Sequence, residues 1–180
     1  MSRIINIETK FEGVKLLELE SFSDNRGFFR EVYNQEILKY LDLDIKFIQD
    51  NESSSVFGTL RGLHFQNEPY AQSKLIRVSL GKVQDVIVDL REGADTYGQW
   101  ESYELSSDNS RMLFVPKGFA HGFLVLTESA IVNYKVDCLY NPKSESGILY
   151  NDSSIDIEWS LEEEQIIVSK KDLSLPKIKL

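Results

Sequence analysis

Apolar and polar residues alternate along most of this chain with the two-residue period of β-strands. Residues 75–90, Leu-Ile-Arg-Val-Ser-Leu-Gly-Lys-Val-Gln-Asp-Val-Ile-Val-Asp-Leu, form two β-rich runs broken at Gly81-Lys82. In the second run Val86, Val88 and Leu90 share one face while Asp85, Ile87 and Asp89 share the other, because side chains alternate across a strand. Both faces therefore carry something to hide. Such a strand is either a barrel wall, packed outside and lining a polar cavity inside, or a strand with a wet outer face. Further strands are predicted over 100–105, 111–115, 122–126 and 130–139, with turn residues between them at 106–110 and at Asn141-Pro142. Many short strands at this spacing predict a sandwich or barrel.

Two helices interrupt the β pattern. Asn34 can cap a helix that carries Ile37, Leu38 and Leu41 on one face,. Ser160 and Glu163 have capping-box spacing, which predicts a helical turn near 160–165,. The tail over 169–180 is polar and lysine-rich and contains Pro176; it either hangs loose or folds over a cavity. No repeat, low-complexity tract or linker divides the chain, so residues 1–180 read as a single domain,.

Composition narrows the function classes. Apolar residues make up 42% and charged residues 27%, enough for a real core,. The single cysteine, Cys138, has no partner for an internal disulfide and cannot form a thiolate metal site alone,. No apolar run resembles a signal peptide or a membrane span, which predicts a cytoplasmic protein,. A net charge of −9 argues against nucleic-acid partners and membrane surfaces but leaves room for a local basic site that holds a small anion,.

The chain has two histidines, and both lie in glycine- and aromatic-rich segments. His64 sits in Gly58-Thr-Leu-Arg61-Gly62-Leu-His64-Phe-Gln66, and His121 in Pro116-Lys-Gly-Phe-Ala-His121-Gly122-Phe. Imidazole is the side chain best matched to proton transfer near neutral pH. On a regular strand Arg61 and His64 would point to opposite faces, but Gly62 permits a bulge that re-aims one of them. Gln72 and Lys74 follow closely and add an amide and a second cation. A surface arginine and a core histidine would explain the same residues without chemistry. Asp85, on the polar face of its strand, could orient His121. Tyr134 and Tyr140, six apart on a late strand, face the same way if that strand is regular, either toward a cavity or filling a core. Asp24-Asn-Arg26-Gly-Phe-Phe29-Arg-Glu31 combines a turn, arginine and aromatics, which suits a nucleotide diphosphate or a solvated hairpin equally,. Metal-ligand spacings, a P-loop, a dinucleotide fingerprint and a serine-nucleophile elbow are all missing,.

Taken in order, these segments resemble the nucleotide-sugar 3,5-epimerases typified by dTDP-4-dehydrorhamnose 3,5-epimerase. The resemblance runs from Asp24-x-Arg26-Gly27-x-Phe29-x-Glu31 through Gln49-Asp-Asn51 with Ser53 and Ser55, the two histidine segments, Gln72-Ser-Lys74, Gly81 to Arg91, Tyr97-Gly98-Gln-Trp100, Tyr134-Lys135, Tyr140-Asn-Pro142, Asn151-Asp152 and Ile157-Glu-Trp159. It spans roughly residues 20–172. It implies a cupin-type jelly roll, a homodimer and no metal or other cofactor. The implied substrate is a nucleotide-diphosphate 4-keto sugar, whose carbonyl acidifies the hydrogens on C3 and C5. His64 matches the base, Asp172 the carboxylate that orients it, and Tyr134 the acid on the opposite face of the sugar; Lys74 matches the cation at the enolate oxygen. His121 with Asp85 would form a second oriented pair near the sugar. Arg26, Phe29, Glu31, Gln49, Asn51, Arg61, Gln72 and Tyr140 would hold base, diphosphate and sugar, with the early segment reaching into the partner subunit. The stretches 54–59 and 92–97 depart from the usual spelling and bear on which sugar nucleotide is held. A 3-epimerase, a 3,4-ketoisomerase, an enzyme for another keto-sugar and a non-catalytic sugar-binding cupin are the competing readings.

Overall fold

The alternating segments pair into two antiparallel sheets that face each other. The computed structural model describes residues 4–179, so the first three residues and Leu180, the end of the tail discussed above, lie outside the described residues. In chain order the strands are β1 (Ile4–Ile7), β2 (Lys15–Leu19), β3 (Phe22–Asp24), β4 (Gly27–Phe29), β5 (Gln49–Val56), β6 (Thr59–Gln66), β7 (Lys74–Leu80), β8 (Lys82–Asp89), β9 (Trp100–Ser106), β10 (Arg111–Val115), β11 (Phe119–Val125), β12 (Ser129–Val136), β13 (Glu145–Gly147) and β14 (Ile167–Val168). One sheet runs β1-β2-β10-β7-β12-β5 and the other β13-β6-β11-β8-β9, with β14 parallel to β6. β3 and β4 form a separate hairpin.

Between the sheets lies an apolar core to which Leu16, Ile76, Val78, Leu113 and Val132 contribute from one side and Val83, Ile87, Leu105 and Phe123 from the other. The outer faces are covered too. Helix α1 (Gln35–Tyr40) lays Ile37 and Leu41 against Leu17, Leu75, Met112 and Phe114. The C-terminal third wraps the second sheet, where Ile148, Ile155 and Trp159 cover Leu63, Val86 and Val88. At about 1.5–3 kcal/mol per fully buried large apolar side chain, this covering stabilises the outer layer as strongly as the inner one. The result is the cupin-type jelly roll the resemblance implied.

β8 decides between the two readings of its pattern. All residues from Val83 to Asp89 are buried, so it is a barrel wall with no wet face. Val86 and Val88 pack outward, Ile87 inward. Buried Asp89 is satisfied by the Arg91 guanidinium at 2.6 Å and the Thr96 hydroxyl at 2.5 Å.

Local signals held where a cap defined them. The Asn34 side chain accepts the Ile37 N–H at 3.0 Å and starts α1, whose Ile37 and Leu38 are buried together with Leu41 just beyond it. Two expectations need correction. The strand predicted over 130–139 stops at Val136. Beyond it the Asp137 carboxylate accepts the Ser73 N–H at 2.7 Å, and the Cys138 carbonyl accepts from Gln72 Nε2 at 2.7 Å, so cross-links to side chains replace the ladder. The capping box lies two residues later than Ser160-Glu163: Glu162 and Gln165 form it, around a single 3₁₀ turn, Glu163–Gln165. Ser160 instead donates its N–H to Gln84 Oε1 at 2.8 Å. Among the described residues no helix is long and apolar enough to cross a membrane.

Candidate active site

The site begins with a bulge. β6 and β11 pair His64 with His121 and Arg61 with Phe123, so three steps on β6 oppose two on β11. The extra residue sits at Gly62, whose φ of 138° is one that residues with side chains rarely adopt,. A Cβ there would lie 2.5 Å from Gly122 Cα, so both strands need glycine at the crossing. The bulge turns Arg61 and His64 to the same side, and both line one cavity of about 560 Å³, a volume typical of sites for drug-sized ligands.

Each imidazole is held by one carboxylate. His64 Nε2 lies 2.7 Å from Asp172 Oδ1 across a sequence separation of 108 residues. The tail reaches back over the barrel in a 3₁₀ turn, Asp172–Ser174, and Ser169 Oγ accepts the Asp172 N–H at 3.0 Å. In the neutral ring this contact keeps the proton on Nε2 and leaves Nδ1 a lone pair for proton abstraction. His121 Nε2 lies 3.0 Å from both oxygens of fully buried Asp85. Burial pulls the His121 pKa down, against the opposing pull of Asp85, so that ring stays neutral at pH 7,. Asp85 does not line the cavity itself; it hydrogen-bonds His121 and its charge bears on Lys74.

Two more groups complete the chemistry. Lys74, at the start of β7, is buried and donates to the His64 carbonyl at 3.1 Å. Desolvation lowers its pKa to about 8, while Asp85 acts in the opposite direction. Tyr134 comes from β12 in the opposing sheet, beside Ile76 and Asn51. Burial raises its phenol pKa, partly offset by Arg61, so the hydroxyl remains an acid at neutral pH. Base and acid candidates therefore enter the cavity from different sheets.

The remaining predicted residues divide. Arg61, Gln72 and Tyr140 line the cavity with the groups above. Arg61 Nε is steadied by Ser55 Oγ at 3.0 Å, and Tyr140 takes Gln49 Oε1 on its backbone N–H at 3.1 Å. Gln49 and Asn51 are joined to each other at 2.8 Å on the same face of β5 as the cavity-lining Ser53, but neither reaches the lining itself. Arg26, Phe29 and Glu31 are not brought to the cavity. Their hairpin stands out, with Phe28 63% and Phe29 69% exposed, and Arg26 pairs with Asp24 at 2.6 Å.

Some cavity residues were not among the predicted site residues. Glu145 accepts the Tyr140 hydroxyl at 2.9 Å and pairs with Lys171 at 2.6 Å; the lysine holds the Glu145 carboxyl below its usual range. Ser53 lines the cavity with an Oγ that has no hydrogen-bond partner. β13 pairing with β6 at Glu145↔Gln66 is a long-range event with no local signal. Among the described residues no three His, Cys, Asp or Glu side chains converge as metal ligands do.

Comparison with known proteins gives this arrangement a family. The dTDP-4-dehydrorhamnose 3,5-epimerase family model matches residues 8–179. The chain is 49% identical over 167 residues to dTDP-4-dehydrorhamnose 3,5-epimerase of Methanothermobacter thermautotrophicus, covering 92% of this chain and 90% of that protein. The crystal structure of dTDP-4-dehydrorhamnose 3,5-epimerase from Bacillus anthracis with TDP and PPi bound superposes with a TM-score of 0.94 at 50% identity, covering 98% of this chain and all 100% of that one. The Legionella pneumophila enzyme in complex with dTDP-4-keto-L-rhamnose gives a TM-score of 0.91 at 39% identity, covering 99% and 100% of the two chains. With its two histidine–carboxylate pairs, lysine and cross-sheet tyrosine around one cavity, the chain belongs to the dTDP-4-dehydrorhamnose 3,5-epimerase family.

Proposed function

We propose that the protein is an isomerase that inverts C3 and C5 of dTDP-4-dehydro-6-deoxy-D-glucose and releases dTDP-4-dehydro-L-rhamnose. The observation that carries this reading is that His64, backed by Asp172, and Tyr134 line one cavity from opposing sheets. Inversion needs a proton removed from one face of a carbon and returned to the other, and a base and an acid on facing walls can do this.

The C4 ketone makes the hydrogens on C3 and C5 acidic. His64 takes the proton, and the C–H electron pair passes into the ring as an enolate. Lys74 stabilises the developing charge on the ketone oxygen; in a dry site such a contact supplies several kcal/mol. Tyr134 then protonates the carbon from the far side, and the cycle repeats at the second centre. Neutral His121, fixed by Asp85, offers a second polar contact to the sugar. Arg61 suits the diphosphate, and Gln72 braces the 137–140 stretch that presents Tyr140. The exposed hairpin supports a homodimer in which Arg26, Phe29 and Glu31 complete the partner's nucleotide site, with Gln49 and Asn51 at the rim. In this reading residues 1–180 act as one cytoplasmic domain, and no metal or redox cofactor enters the cycle.

The test is product analysis. Incubation with dTDP-4-keto-6-deoxyglucose and a trapping reductase should yield a rhamno-configured sugar by NMR. Inversion at C3 alone would make the protein a 3-epimerase, and migration of the carbonyl a 3,4-ketoisomerase. A substrate that is bound but unchanged would leave a sugar-binding cupin.

A further inference from the structure

A second basic pocket lies at the far end of the first sheet. β7 begins at Lys74 in the catalytic cavity and runs to Ser79, a path of roughly 16 Å at the ordinary strand rise. There Arg30, Arg77 and Arg111 surround a small cavity of about 110 Å³, together with Ser79, Ser107 and Ser110. None of these residues lines the catalytic cavity.

The three guanidiniums are poorly compensated. Arg30 donates to neutral oxygens only, Ser21 Oγ at 2.6 Å and the Ser107 carbonyl at 3.4 Å, and stacks over Phe28 at 4.7 Å. Arg77 pairs with Met112 and Asn133 through its backbone, but among the described residues its guanidinium enters no hydrogen bond or ion pair, and its charge bears on Arg30. Arg111 Nε is buried without a hydrogen-bond partner; its nearest carboxylate oxygen, on Glu18, is 3.8 Å away. Converging guanidiniums with unused donors and adjacent hydroxyls match the geometry of a tetrahedral oxyanion. That three guanidiniums share a single long ion pair, Arg111 to Glu18, in a chain of net charge −9 strengthens the case, because acidic side chains were plentiful. The volume suits one phosphate group and is too small for a nucleotide.

We propose that this pocket binds an inorganic oxyanion of the phosphate class and so fastens the segment after β4 to the end of the barrel. The site is separate from the catalytic cavity and does not depend on the epimerase reading.

Arginine Nε–H NMR reads it directly. Inorganic phosphate titrated at constant ionic strength should shift the Arg77 and Arg111 Nε–H signals together and saturably, and sodium chloride should not. Arg77→Met, which keeps the aliphatic stem, should weaken phosphate binding at Arg111 at least tenfold and leave epimerase turnover unchanged. Thermal melts should cross over: without phosphate the variant melts no lower than the parent, and in phosphate it melts lower. Equal shifts with chloride would reduce the effect to charge screening and overturn the proposal. So would signals that respond to protein dilution and not to phosphate, since a carboxylate of a second copy would then fill the pocket. An Arg77→Met protein with unchanged phosphate affinity at Arg111 would overturn it as well.

Discussion

At the scale of single residues, the account rests on matching each group to one step. His64→Ala should stop hydrogen exchange at both carbons, because one base serves both. Tyr134→Phe should keep exchange and lose net inversion, since abstraction survives and far-side return does not; NMR of substrate and product in heavy water separates the two. Asp172→Asn keeps the shape but loses the charge that fixes the Nε2 tautomer, and should lower kcat about 10²- to 10⁴-fold with little change in KM. Lys74 sets the alkaline limit. In its proposed role it must be protonated to neutralise the enolate, so activity should fall as pH rises through its pKa of about 8. Asp85→Asn removes the charge that holds this pKa up and should move that limb to lower pH. The stability sign is opposite. Between about 8 and the ordinary lysine value of 10.5 the unfolded chain binds more protons than the folded one, so the penalty for burying Lys74 fades and stability rises as pH rises through that window,. Below it, burying the charge costs up to about 3 kcal/mol, and Lys74→Met should therefore be inactive yet melt higher at pH 7. His64, His121, Lys74 and Tyr134 were legible as chemistry-bearing residues. The Asp172 pairing was visible only through the family resemblance, because nothing local connects groups 108 residues apart. Glu145 and Lys171 carried no sequence signal, and Ser53 figured only in the family resemblance without a site role, since ordinary polar residues become site residues only when strands from distant segments meet.

At the scale of elements, the bulge is the device that builds the site. Gly62→Ala forces a Cβ to within 2.5 Å of Gly122 Cα at a φ of 138°. It should cost about 2–4 kcal/mol of stability in denaturant melts and separate Arg61 from His64, so that KM rises and kcat falls together. The same change at Gly93, where nothing lies within 4 Å of the added Cβ, should cost only the strain of its positive φ. Strand identity was readable where alternation was strong, as in β8 and β10. It was missed in β5, whose run Gln-Asp-Asn-Glu-Ser-Ser-Ser-Val has almost no apolar residue. That strand is held by β12 on one side and presents Ser53 to the cavity, so hydrophobic periodicity had nothing to detect. The 160–165 turn was found in place but not in register, because a box of Ser and Glu competes poorly with the tertiary bond from Ser160 to Gln84.

At the scale of the whole molecule, the tail lines the cavity and the early hairpin does not. Residues 169–172 fold over the cavity and deliver Asp172, which settles the choice between a loose tail and a covering one. The hairpin carrying Arg26 and Phe29 is exposed and does not line the cavity, although sequence alone grouped these residues with the site. If it completes the site of a second copy, inactive Arg26→Ala and His64→Ala proteins should complement each other. Random reassociation at equal amounts should restore about a quarter of the parent activity, because half the dimers carry one intact site. Failure to complement after demonstrated subunit exchange would place the hairpin's function elsewhere. The most direct test of the central claim is deuterium incorporation from heavy water into dTDP-4-keto-6-deoxyglucose, followed by NMR for the parent and for His64→Ala. The account predicts deuterium at both C3 and C5 with the parent and at neither with the variant. Near-normal exchange by a folded His64→Ala protein would contradict it.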